Sequence, residues 1–168
     1  RARAAAAELT FSFVPSRALA ADKEARAELV AAAVVAQADP DANVRRIADR
    51  VWRAATETGG APGKQLKELR PFLLARVGQD LAGGEALPAK VAGRAAAQLH
   101  ERLDSSGGFI DDVIPGLLEA FASADPGVQR SACAGLAEVL RSSKCSKQVV
   151  ESSSLAAALT DLLYSSAG

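Results

Sequence analysis

The residues that could carry chemistry in this chain are few. It has one histidine, His100, and two cysteines, Cys133 and Cys145. Their spacing matches no metal-site pattern. No Ser-His-Asp set is visible, because the single imidazole would need a nucleophile and an orienting acid brought to it in space. His100 falls at the end of a helical run, where a capping or exposed role is expected. Cys133 reads as a small core residue. The stretch "GGAPGKQ" (59–65) faintly resembles a phosphate loop. A true one needs four residues between its glycines and Ser or Thr after the lysine, whereas Gly59 and Gly63 enclose three and Gln65 follows Lys64. Asp111 and Asp112 could be paired carboxylates, but at the start of a helix they complement its dipole. The expectation is no catalysis, no metal, no cofactor and no small-molecule substrate.

Composition narrows the setting. The chain holds 20 Lys and Arg against 20 Asp and Glu, so a polybasic nucleic-acid binder is excluded at the level of net charge. Apolar residues make up 49% of the 168, an ordinary share for a folded protein. No stretch is long and apolar enough for a membrane span. Unpaired cysteines point to a reduced, cytosolic setting. The chain opens on Arg1 without a signal-peptide pattern, and it reads as a segment of something longer.

Elements must position whatever function remains. Apolar residues recur at three and four positions nearly throughout, the helical period. The one strand-like run is "LTFSFV" (9–14). Breakers stand at Pro15, Asp39-Pro40, "GGAPG" (59–63), "GGEALP" (83–88), "SSGG" (105–108), Asp125-Pro126 and the serine-rich 142–154. Helices are therefore expected at about 3–13, 22–37, 41–57, 64–82, 87–103, 109–123, 126–141 and 147–165. Asp39 and Asp125 are expected as N-caps, with Pro40 and Pro126 at the first helical position.

The helices repeat. Val44, Ala48 and Trp52 lie at i, i+4 and i+8, as do Val91, Ala95 and Leu99, and Val128, Ala132 and Leu136. The spacing between these sets brackets the 40–47 residues of HEAT and armadillo units. Each set is preceded by a helix with its own apolar stripe: Leu29, Ala33 and Val34; then Leu69, Phe72, Leu73 and Val77; then Ile110, Val113, Ile114, Leu117, Leu118 and Phe121. The fold expected is all-α, an α-solenoid of HEAT-type antiparallel helix pairs, with units at about 22–57, 64–103 and 109–141 and partial units at 1–13 and 147–165. The competing reading is a non-repeating helical bundle.

One surface feature invites a partner. In "VRRIADRVWRAA" the core face takes Val44, Ile47, Ala48, Val51, Trp52 and Ala55. Arg45, Arg46, Asp49, Arg50 and Arg53 are left outward. The four arginines form a basic stripe suited to RNA phosphate or an acidic protein. The alternatives are a solvated face in which Asp49 pairs with Arg45 or Arg53, and an arginine after the turn that bridges to the aspartate of a neighbouring turn, as in solenoid repeats.

Several passages resemble the HEAT-repeat scaffolds of the general-control translational activator family. "NVRRIADRVWRAATETGG" with "KQLKELRPFLLARV" is similar to that family's "VR…A…VWK" helix and the helix after it. "AGRAAAQLHERL" (92–103), "IDDVIPGLLEAF" (110–121) and "QRSACAGLAEVLRSS" (129–143) follow in the family's order. The resemblance spans roughly 40–143. The loops "GGAPGKQ" and "GGEAL" and the tail "SLAAALTDLLYSSAG" depart from the family pattern. It implies a cytoplasmic, ribosome-associated, non-catalytic scaffold that serves the kinase of translation initiation factor two alpha. Ribosome and kinase are the implied partners, without a membrane. A HEAT adaptor for nuclear transport, the cytoskeleton or a phosphatase is the alternative.

Overall fold

The computed structural model describes residues 22–59, 62–103, 108–142, 145–146, 151 and 153–165. Eight helices carry the argument: α1 (Lys23–Ala36), α2 (Ala42–Gly59), α3 (Pro62–Glu68), α4 (Arg70–Ala82), α5 (Ala86–Leu103), α6 (Phe109–Phe121), α7 (Pro126–Leu140) and α8 (Ser153–Ser165). Among the described residues all regular structure is helical, so the fold is all-α. The helix expected at 3–13 and the strand-like "LTFSFV" lie outside the described residues. The chain divides into two compact units, Arg1–Arg76 and Val77–Gly168.

In the first unit α1 packs on α2, and α2 meets α3. Asp22 caps α1, its carboxylate accepting from the backbone N–H groups of Glu24 and Ala25 at 3.1 and 3.0 Å. The seam of α2 recurs at three- and four-residue intervals: Val44, Ile47, Ala48, Val51, Trp52 and Ala55 are all buried. They meet a small-residue face on α1, where Ala31 and Ala33 are fully buried between Val30 and Val34. Small side chains there allow a close helix–helix approach.

The helix expected over 64–82 is two helices. Pro62 opens α3 two residues early, at the position where a missing N–H costs nothing. A turn at Leu69 then separates α3 from α4. The cause is Pro71, which lacks the N–H that would bond the Lys67 carbonyl and disfavours helical geometry at Arg70. The break is shallow, since Leu69 N–H still reaches the Gln65 carbonyl and Leu73 N–H the Leu69 carbonyl, both at 2.9 Å.

In the second unit the most extensive packing is α5 on α7, with α6 against both and α8 against α6. Gly93 and Gly135 make the α5–α7 crossing. A Cβ placed on Gly93 would lie 2.1 Å from the Gly135 carbonyl oxygen, closer than any side chain tolerates. Around it stand Ala89, Ala92, Ala96, Ala132 and Leu136, all buried. Gly84 turns the chain between α4 and α5 with φ +77°, the left-handed region that suits glycine. The Ser131 hydroxyl sits 2.6 Å from the Leu81 carbonyl oxygen, near the end of α4 where helix carbonyls lack partners.

The two Asp-Pro turns differ. Asp125 is the N-cap of α7, its carboxylate accepting from Gly127 N–H at 2.7 Å, with Pro126 first in the helix. Asp39 is not the cap of α2. It accepts from Asp41 N–H at 2.7 Å, and Asp41 in turn accepts from Asn43 N–H at 2.9 Å while its carbonyl takes the bond from Arg45 N–H. The turn before α2 is thus two residues longer. Asp41 and Asp125 are the equivalent pair: each stands three residues before the first valine of its set, Val44 or Val128.

Candidate interaction surface

The stripe on α2 separates into two kinds of arginine. Arg45 is half-buried, and its Nη1 donates to the carbonyl oxygens of Asp39 and Pro40 at 2.6 and 2.8 Å. It fastens the turn that starts the helix. Its counterpart on α7 is Gln129, one residue after Val128, whose Nε2 donates to the carbonyls of Phe121 and Ser123 at 3.3 and 2.8 Å. Two different side chains do the same job four residues after the cap.

Arg46, Arg50 and Arg53 are exposed and share one face at i, i+4 and i+7. Asp49 points elsewhere. Its Oδ1 accepts from Gln37 Nε2 at 2.9 Å, joining α2 to the C-terminal end of α1, rather than pairing with Arg45 or Arg53. Among the described residues no ion pair engages Arg46 or Arg53. The result is a ridge of guanidinium groups on a helix whose start is pinned and whose opposite face is buried.

A charge cluster of another kind lies in the second unit. Glu138 of α7 is 5% exposed. Arg94 of α5 grips it with two bonds, Nε to Oε2 at 2.7 Å and Nη2 to Oε1 at 3.2 Å, and Arg141 Nη1 reaches Oε1 at 2.5 Å. The Arg94 guanidinium holds the Glu138 carboxyl below its usual range; burial opposes this and Arg141 reinforces it. Bidentate pairing of a nearly buried carboxylate locks α5 to α7. This arrangement satisfies its own charges and offers nothing to a substrate.

The first unit also holds a groove of about 340 Å³, bordered by Lys23, Arg26 and Val30 of α1, Ala55 of α2, and Gln65 and Glu68 of α3. Gln65 Nε2 donates to the Ala55 carbonyl at 3.2 Å and ties α3 to α2 there. No nucleophile with an adjacent base borders it. Only the fold creates this groove, because its walls come from three separate helices.

Two sequence expectations need correction. His100 is not exposed: it is 3% accessible in the last turn of α5, because α5 is packed on more than one side. Cys133 is not a core residue but is exposed, since the buried face of α7 runs through Ser131, Ala132, Gly135, Leu136, Glu138 and Val139. Partial desolvation raises the Cys133 thiol pKa, which is unlike a primed nucleophile. Cys145 is the buried thiol, its Sγ 4.0 Å from the Ala97 carbonyl oxygen. Asp111 and Asp112 are exposed in the first turn of α6, where they complement its dipole. Among the described residues no group of three or more His, Cys, Asp or Glu gathers to hold a metal ion, and no helix is long and apolar enough to cross a membrane. No protein-family model, curated protein or solved structure matches the chain.

Proposed function

We propose that the chain is a segment of a HEAT-type α-solenoid that works as a non-catalytic scaffold in cytoplasmic translational control, binding ribosomes and serving the kinase of translation initiation factor two alpha. The observation that carries the repeat is the shared construction of α2 and α7. Each has an aspartate cap, a side-chain clasp on the preceding turn four residues later, and a buried Ala at the centre of its apolar set. Units built to one plan stack their apolar faces into a continuous core and present their outer faces as one long surface. The resemblance of residues 40–143 to the general-control activator family supplies the translational setting. The exposed ridge on α2 is the contact face.

Cosedimentation of the chain with ribosomes tests this reading. It should pellet with them, and the pelleted fraction should fall as salt rises. A chain that stays in the supernatant at low salt would turn the assignment to a HEAT adaptor of another class, in nuclear transport, the cytoskeleton or phosphatase regulation.

A further inference from the structure

The neutral net charge conceals a segregation. Residues 1–76 carry 13 Lys and Arg against 9 Asp and Glu, a balance of +4; residues 77–168 carry 7 against 11, a balance of −4. The division between the two compact units is therefore also a division of charge. Within the basic unit the most ordered positive feature is the α2 ridge. Arg46 and Arg53 are exposed seven residues apart, about 10 Å along a helix, with Arg50 between them. Arg45 pins the helix start and Asp49 is turned toward Gln37, so the ridge is held rigidly and the one carboxylate within residues 45–53 is engaged elsewhere.

We infer that this ridge binds the phosphate backbone of RNA, without reading sequence. Guanidinium forks pair with phosphate oxygens two bonds at a time, and a straight row of them tracks a regularly spaced anion. An acidic protein is the other anion of the right sign. The regular i, i+4, i+7 row favours a periodic backbone over scattered carboxylates. The ridge carries no aromatic that could stack on a base, so contact is with phosphates and not with base faces. The acidic second unit repels the same polyanion, which confines RNA to the first. This deepens the ribosome-contact reading and rests on it only for where the RNA comes from.

Fluorescence anisotropy with a labelled RNA duplex of about 20 base pairs tests the inference on the whole chain. Affinity should fall as salt rises from 50 to 200 mM. With Arg46 and Arg53 each neutralising a phosphate, the log–log slope should be about −2. Arg46→Glu/Arg53→Glu should weaken binding at least tenfold at 50 mM salt and flatten the slope. Arg46→Lys/Arg53→Lys should stay within a few-fold of wild type, which guards against a folding defect. Lys90→Glu/Arg130→Glu, which removes the same charge from exposed positions of the second unit, should leave binding within about twofold. If the Glu double variant binds like wild type, or if a polyglutamate peptide binds the ridge and the duplex does not, the inference fails. A chain that pellets with ribosomes yet ignores the duplex would sink the RNA contact alone. One that binds the duplex but not ribosomes would sink the translational reading instead.

Discussion

Arg45 and Arg46 are adjacent in sequence, yet one guanidinium is tied to the carbonyls of Asp39 and Pro40 while the other stands exposed. Their alanine variants should separate in a urea titration. Arg45→Ala should cost about 1.5 kcal/mol, the low end for hydrogen bonds from a charged group, because its site is only half-buried. Arg46→Ala should fall within about 0.5 kcal/mol of wild type, as surface substitutions do. Glu138 makes the opposite kind of contribution. Replacing it with Gln should cost about 1–3 kcal/mol at pH 7 by leaving Arg94 and Arg141 without their anion. Its carboxyl titrates lower in the folded chain than the ordinary value of about 4.3 that it takes when unfolded. The stabilisation is therefore complete above that ordinary value and fades as pH falls through the lower, folded one. The gap between wild type and Glu138→Gln should narrow between pH 7 and pH 3; a constant gap would show that the ion pair contributes nothing.

At the scale of elements, two glycines in helices should respond with opposite signs. Gly93→Ala puts a methyl group into the Gly135 carbonyl, and only a shift of α5 against α7 relieves it. The cost should be about 1–3 kcal/mol or more. A Cβ on Gly116 of α6 meets nothing within 4 Å, so Gly116→Ala should stabilise by up to about 1 kcal/mol through helix propensity alone. Thermal melts of the two variants would check the pair, and a Gly93→Ala chain as stable as wild type would contradict the tight crossing. The helices and their inward faces were legible in sequence because burial on one face writes a 3.6-residue period, as the buried run from Val44 to Ala55 shows. The break at Leu69 was not, since the apolar period runs through it and only the missing N–H of Pro71 marks it. The cap of α2 was displaced for a related reason: both Asp39 and Asp41 can accept backbone bonds, and only the geometry assigns the cap to Asp41. Exposure of Cys133 and burial of His100 depend on which neighbours cover each helix, which a single helix's pattern does not encode. The ridge was legible as a face. An arginine bridging to a neighbouring turn's aspartate is expected as one alternative; that Arg45 would instead bond the carbonyls of its own turn was not legible.

For the whole molecule, overall neutrality and internal polarity have separate consequences. With a sequence pI near 6.8, the chain is least protected from association near neutral pH. Oppositely charged units add attraction between copies at low ionic strength, over a range set by the Debye length of about 8–10 Å at physiological salt. Sedimentation velocity at pH 7 should show the mean sedimentation coefficient falling as salt is raised from about 20 to 300 mM. Arg46→Glu/Arg53→Glu, which lowers the positive balance of the first unit, should reduce that dependence. A sedimentation coefficient indifferent to salt would mean that the charge separation has no reach beyond the molecule.

The contrast between the two cysteines supplies a clock that needs no engineering. Cys133 is open to solvent, whereas Cys145 is fully covered against the Ala97 carbonyl. A maleimide offered at mildly alkaline pH will modify Cys133 first, leaving one thiol per molecule unreacted. The second adduct can form only when the contact between Cys145 and α5 lets go. Its rate, followed by mass spectrometry over minutes to hours, measures how often that part of the chain opens under native conditions, without denaturant.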